Sequence, residues 1–421
     1  MKFFNAWYNK CRQEGTIDLR YLILLFMVAV YPLIVIPHPF YIVFPLGITP
    51  PNYFYAPRYV ILILVSLLAL IVLLKDRAKI NHPAFIPLIF FIVFALISAF
   101  LAPVPLTAWI GNPYRFTGLS VYLACMILFI LAWHTGNTEK LLGYLIGSAV
   151  IVSFLAVLQH FGLNLVPHEA YREGYVSYGT MANADFLGTY TAFILPAAIL
   201  FFLRYKKIFW LVSIAFIHAG LMVSTMWGEW LVIMGALVII AWYALKEKGK
   251  RKAFVQAMVV LAVVTCFFFS VGKKEALIKR ATVIPTEAIS SLRLEDKAGS
   301  GRIFIWRHTL NIIPHVWAFG LGPDHLIYTG IKFGEKIPVD KTHNVYLEIA
   351  VTMGLFAFLA YLVFLSFFLR PGSNETGFVL WLMILVYLVQ GLFNIDVVMI
   401  MPLFWIVLGM SLRLRKPLRE N

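Results

Sequence analysis

Charge is scarce in this chain. Of its 421 residues only 13% are Asp, Glu, Lys or Arg, about half the ~25% usual in a soluble domain. Acid is scarcest, with 20 Asp+Glu against 35 Lys+Arg and a net charge of +15. Cysteine occurs at Cys11, Cys125 and Cys266 only, two of them inside apolar runs, so no disulfide framework exists. A glycine-rich phosphate loop and a dinucleotide fingerprint are both missing, and no internal repeat is evident. These absences exclude a disordered chain, a soluble globular enzyme and a disulfide-stapled secreted module. What is present is 61% hydrophobic residue, with a mean hydropathy of +0.85. Apolar runs extend for 16 to 20 residues, whereas a β-barrel alternates apolar and polar residues in short segments. The composition predicts an all-α polytopic membrane protein.

The runs predict about twelve transmembrane helices, near 20–37, 59–74, 84–101, 118–133, 141–160, 186–203, 208–225, 229–245, 253–271, 344–369, 376–393 and 397–412. Several fall short of the ~20 residues a hydrocarbon core requires, so neighbouring helices must shield their ends. The division is then an N-terminal transmembrane region of about nine helices over 1–271, one long extracytoplasmic loop with short helices over 272–342, and a C-terminal region of about three helices over 343–421. The polar N-terminus carries Lys2, Lys10, Arg12 and Arg20 and lacks a small-residue cleavage site after a short apolar stretch. The first hydrophobic helix is therefore expected to be retained.

Basic residues orient these spans. With the N-terminus inside, 21 of the 35 fall on inner segments, 3 (Arg58, Arg115, Arg172) on short outer loops and 11 in the long segment, which the positive-inside rule exempts. Both termini are predicted cytoplasmic. The excess charge reads as this bias plus affinity for anionic membrane lipids, with Lys246–Lys252 as the strongest inner determinant. Nucleic acid is not an expected partner. The 16% aromatic content suits interfacial belts, and base stacking would need an aqueous domain.

Within the long loop, Ser300 or Gly301 predicts a helix start and Pro314 a stop after about Ile313. Arg302, Trp306, Thr309 and Ile313 share one face of that helix. On residue chemistry alone this face reads as an interfacial amphipathic helix, or as a place where Arg302 grips an anion. Gly320–Pro323 predicts a turn. Asp340 to Glu348 opens the tenth span, placing His343 near a helix N-terminus, where anions are favoured and an imidazole stays neutral. Glu348, an ionisable residue at the start of a span, is a site candidate by default.

Taken together these segments resemble the bacterial O-antigen ligase/O-antigen polymerase family of membrane glycosyltransferases. The resemblance rests on Ser300-Gly301-Arg302 with Trp306, Gly320-Leu321-Gly322-Pro323, Thr342-His343-Asn344-Val345-Tyr346-Leu347-Glu348 and Gly354-Leu355. Upstream, Arg115-Phe116-Thr117-Gly118-Leu119 is similar to the family's R-x-x-G-L, and Gly179 to Gly188 to its G-T-x-x-N-x-N-x-L-G. The ordered set is more specific than any one motif. It implies an inverting, metal-independent transferase without cofactor. Such an enzyme moves a glycan from a polyprenyl diphosphate (undecaprenyl-type) carrier to an acceptor hydroxyl at the outer face of the cytoplasmic membrane, in cell-surface polysaccharide biosynthesis. The resemblance implies that His343 acts on the acceptor and Arg302 on the diphosphate, with Arg115, Asn344, Glu348, Trp306, Asn183 and Arg172 as further substrate-binding candidates. The acceptor is a lipid, a wall polymer or a protein for a ligase, and another carrier-linked repeat for a polymerase. A lipid-linked oligosaccharide transporter or flippase is the alternative from another class, against which stands the lack of visible repeats or broken helices.

One position departs from the pattern. Where family members carry S-R-G-A-W, this chain has Ser224-Thr225-Met226-Trp227-Gly228-Glu229-Trp230, so Trp227 replaces the arginine. Arg115, Arg172, Lys332, Lys336 and Lys341 are the basic residues available to compensate. Gln159, His160, Asp185, Glu229, Glu348, Asn394 and Asp396 fall at predicted outer helix ends, where capping and sugar contacts are both open. His218 inside the seventh span reads as a helix–helix hydrogen bond. His308, His315 and His325 with Asp324 fit no metal-ligand spacing.

Overall fold

In a computed structural model, the described residues are 18–36, 43–44, 47–48, 53–166, 177–271, 278, 282, 290, 293, 295–296, 298–333 and 337–415. Their α-helices, in chain order, are α1 (Leu19–Ala29), α2 (Tyr55–Lys75), α3 (Phe85–Leu101), α4 (Pro105–Ile110), α5 (Leu119–His134), α6 (Thr138–His160) and α7 (Ala184–Tyr205). There follow α8 (Ile208–Ser224), α9 (Trp227–Lys246), α10 (Arg251–Ser270), α11 (Arg302–Val316), α12 (Val345–Ser366), α13 (Glu375–Gln390) and α14 (Met401–Leu414). Two antiparallel ladders of two residues each, at 43–48 and 332–338, are the strands among the described residues. Each predicted span overlaps a helix. Six helices (α2, α6, α7, α9, α10 and α12) are long and apolar enough to cross a membrane, and the other predicted spans fall on apolar helices of 10–17 residues.

The structure corrects several boundaries. The first apolar helix stops at Ala29 and passes through a 3₁₀ turn at Tyr31–Leu33, because Pro32 supplies no N–H to continue it. The last helix begins at Met401 rather than 397: residues 391–400 are irregular, and Pro402 sits at the helix start, where its missing N–H does no harm. Helix α11 continues through Pro314 to Val316, since a proline in a final turn removes a single hydrogen bond.

The core is centred on α7, whose apolar stretch is wholly buried. It packs against α6, α8, α9 and α13. Its sequence suits that place: Gly188, Thr189, Thr191, Ala192, Ala197 and Ala198 allow close approach, and where lipid is as apolar as leucine, close packing and buried hydroxyl bonds hold helices together. By contrast α10 is mostly exposed, with Val255, Val259 and Val263 along one face. Helix α12 packs on α3 and α14 on α5, so the two ends of the chain share one core.

Arg58, at the start of α2, is fully buried and faces backbone carbonyls rather than acid: its guanidinium donates to Tyr31 O (3.3 Å), Pro32 O (2.8 Å) and Thr180 O (2.9 Å). Tyr31 Oη in turn donates to Val398 O at 2.6 Å. The end of α1 and the starts of α2, α7 and α14 are thereby gathered at one end of the bundle. At the opposite end Arg204 bonds Glu139 (2.7 Å) and Glu375 (3.1 Å), and Lys250 pairs with Glu247 and Glu375.

One helix is broken, which the sequence did not suggest. Within α12, Gly354 has φ +85 and ψ 172. The freed backbone groups are taken by the segment after α11: Leu321 N donates to Val351 O (3.0 Å), Gly322 N to Thr352 O (2.8 Å), and Leu355 N to Trp317 O (2.7 Å). A Cβ on Gly354 would lie 2.2 Å from Ala318 O, and its backbone region is open essentially to glycine alone. Gly354→Val is therefore expected to destabilise the fold by about 3 kcal/mol or more, read as a lower unfolding midpoint in detergent. An unchanged midpoint would show that the break relaxes without cost.

Candidate functional site

Five segments converge at the end of the bundle gathered by Arg58: the 111–118 loop, the start of α7, the start of α9, the start of α11 with the 320–325 turn, and residues 340–348. Each is a turn fixed by glycine or a left-handed residue. Gly111 (φ +99) and Phe116 (φ +54) fold the first, and a Cβ on Gly118 would meet Gly111 N at 2.4 Å. Gly320 (φ +71) fits directly against the backbone of Thr352.

His343 lies just before α12 with φ +54. It is half-buried, and among the described residues its imidazole has no hydrogen-bond partner. Burial, then the Arg302 and Arg115 guanidiniums, pulls the imidazole down to about 4, against the opposing pull of Asp340 and Asp185. At neutral pH the ring is neutral and able to accept a proton. Asn344 caps α12, its Oδ1 accepting from Leu347 N at 2.9 Å. Asn183 caps α7 in the same way, accepting from Asp185 N at 3.3 Å.

Arg302 opens α11, half-buried and, among the described residues, without an ion pair or hydrogen bond. Its field reaches both His343 and Glu229. A partly desolvated guanidinium without a carboxylate is a ready anion clamp. One turn on, Trp306 Nε1 donates to Thr342 O at 2.9 Å, tying α11 to the turn that carries His343.

Arg115 is differently placed. Its Nε donates to Asp340 Oδ2 at 2.8 Å, and its Nη1 lies 3.4 Å from Tyr55 Oη. Burial raises the Asp340 carboxyl, but Arg115 more than reverses this and holds it below its ordinary value. Lys341 is buried and paired with Asp324 (2.7 Å) and Glu348 (3.0 Å), so it offers nothing to a phosphate. Glu348 uses its second oxygen on Thr342 N at 3.0 Å. A cavity of about 10 Å³ lies beneath, lined by Thr117, Tyr122, Lys341, Val345, Glu348, Ile395 and Asp396. Lys332 is exposed on its ladder. Arg172 and Lys336 lie outside the described residues.

At the start of α9, Trp227 occupies the first turn. Two residues on, Glu229 is buried and accepts from Asn394 Nδ2 at 3.1 Å, with Thr189 Oγ1 3.4 Å away; Asn394 also donates to Thr189 at 2.6 Å. Asp185 acts electrostatically on both Glu229 and His343. The site thus sets Arg302 near the carboxyl groups of Asp185 and Glu229. The other polar helix-end residues serve structure: Gln159 Oε1 accepts from Tyr178 N and Gly179 N (3.0 and 2.8 Å), and Asp396 accepts from Tyr387 Oη at 2.7 Å. His160 meets Phe268 edge-on. His218 joins α8 to α10 through Thr265 at 2.8 Å. His325 is buried against Pro323 O and Val104 N, whereas His308 and His315 are exposed.

The sequence did not reveal the buried Lys341 set or the Thr189–Glu229–Asn394 contact. Asp324 lies 17 residues before Lys341 across a turn, and Thr189, Glu229 and Asn394 lie on three separate elements, so neither set shows as a motif.

No curated protein matches the chain. Residues 211–362 match the family described as O-antigen ligase. The matched stretch runs from α8 through most of α12 and contains Glu229, Arg302, Trp306, His343 and the break at Gly354. Over these residues the chain is similar to the O-antigen ligase family.

Proposed function

We propose that the protein transfers a glycan from a polyprenyl-diphosphate carrier to an acceptor hydroxyl at the outer face of the cytoplasmic membrane. The observation that carries this reading is the pairing of Arg302, a guanidinium without a partner among the described residues, with a neutral imidazole, His343, within one electrostatic site. The acceptor hydroxyl gives its proton to His343 as its oxygen bonds the anomeric carbon. The bond from that carbon to the diphosphate oxygen breaks on the opposite side, inverting the centre. The diphosphate leaves with the bonding electrons, and Arg302 holds the charge it gains. A diphosphate is already a good leaving group, so held charge and an aimed base are what the chemistry asks of the protein.

In this reading about twelve helices span the membrane, both termini are cytoplasmic, and the site end faces outward. Residues 272–342 form the outer loop between transmembrane regions 1–271 and 343–421. The alternation of inner and outer basic residues supports that orientation. A transporter is less well supported: in the one helix seen to break among the described residues, the freed groups at Gly354 bond the 317–322 segment instead of facing an open path.

The test is reconstitution of the purified protein with a carrier-linked repeat unit and candidate acceptors, in the presence of EDTA. A shifted acceptor band that depends on His343 marks a ligase, and a ladder from the carrier substrate alone marks a polymerase. Activity abolished by EDTA and restored by a divalent ion would overturn the metal-independent mechanism. Vectorial movement of carrier-linked glycan with no covalent product would replace the reading with transport.

A further inference from the structure

The turn that carries His343 is held chiefly by side chains. His343 itself sits in the left-handed region, with φ +54, which is uncommon for a residue other than glycine. The support converges on one residue. Lys341 is 4% exposed, with its ammonium between Asp324 Oδ1 (2.7 Å) and Glu348 Oε1 (3.0 Å). The second oxygen of Asp324 accepts from Asn112 N (2.6 Å) and Thr117 N (3.3 Å). The second oxygen of Glu348 accepts from Thr342 N at 3.0 Å. One ammonium therefore joins the 111–118 loop, the 320–325 turn and the first turn of α12, and His343 lies two residues along the chain.

We propose that Lys341 is a positioning residue for glycan transfer: clamped between Asp324 and Glu348, it fixes the turn that aims the His343 imidazole at the acceptor. This rests on the reading that His343 takes the acceptor's proton. Diphosphate contact is excluded as its role, because the ammonium is buried and both carboxylates are at bonding distance. The clamp also keeps His343 facing Arg302 of α11, Arg115 of the 111–118 loop, Asp185 of α7 and its neighbour Asp340, the charged groups that act on the ring.

Two consequences separate aiming from mere support of the fold. Misaiming a base slows turnover without loosening a donor held elsewhere, so Lys341→Met should lower kcat by roughly tenfold to a hundredfold, with the KM for carrier-linked donor little changed. A loosened turn also lets water reach His343, so the acid limb of the pH–rate profile should move to higher pH. The experiment measures both in the reconstituted full-length protein, per folded molecule, beside His343→Ala. Lower kcat with a shifted limb supports the proposal. A variant with wild-type kcat and limb per folded molecule, whatever its yield, overturns it. If Lys341→Met yields no folded protein, Asp324→Asn, which removes one side of the clamp, decides: the same paired signature supports aiming, and its absence overturns it. Wild-type turnover in His343→Ala would instead remove the reading on which the proposal rests, and is distinguishable because it does not depend on position 341.

Discussion

Replacing His343 by alanine is expected to lower glycan transfer by about 10²–10⁴-fold, the usual contribution of a positioned general base. The imidazole is half-buried and free of protein hydrogen bonds among the described residues, so its removal leaves no partner stranded and the fold should survive. The measurement is initial rate with carrier-linked donor and acceptor, at matched folded protein. The wild-type enzyme should also lose activity as pH falls through about 4, where burial and the two guanidiniums place the ring's titration. The sign follows from the role: the base is active when neutral, and a depressed value keeps it neutral down to lower pH. An alanine variant with wild-type rate would take His343 out of the chemistry, whatever the family.

Arg302→Lys should be nearly as damaging, with a loss on the order of 10²-fold in kcat. Lysine keeps the charge but presents a point ammonium, whereas two oxygens of a diphosphate match the planar fork. Because Arg302 has no ion partner among the described residues, the substitution breaks no structural pair, and a loss of rate reads directly on the substrate. Rates for wild type, Lys and Ala variants across donor concentrations would check this. If Lys equals Arg, the residue supplies general positive charge or interfacial anchoring, and the diphosphate clamp lies elsewhere. The tryptophan at 227 sharpens the test: with no arginine at that position, more of the charge stabilisation should fall on Arg302.

Much of this was visible in the residues. Helices lie where the apolar runs are, because membrane helices satisfy their own backbone and need only length and apolarity to be recognised. The motif residues at 302, 306, 343 and 344 fall on the elements expected of them because capping and dipole rules are local. What escaped detection is non-local. Nothing near Lys341 announces Asp324, and a lysine in a polar loop looks like a free cation until its partners are seen. Arg58 looked like one more charge in a short loop, yet it is buried among backbone carbonyls. Gly354 belonged to a recognised motif, but its reason, a broken helix bonded to residues 317–322, needs the tertiary structure. The irregular stretch before Met401 reads as helix by apolarity alone, which cannot register the turn that Asn394 and Asp396 occupy.

The bonds that shape the site also bear on when it can exist. Asn112 meets Asp324 across 212 residues, Arg115 meets Asp340 across 225, and Thr189 meets Asn394 across 205. A chain emerging from the ribosome can place its early helices in the membrane without any of these contacts. The glutamate on α9 waits for the loop after α13, and the arginine at 115 waits for the segment before α12. The site therefore assembles only after the segments around residues 324, 340 and 394 have been made. A chain stalled before residue 394 would hold its early helices without the Thr189–Asn394 contact, and so without an assembled site.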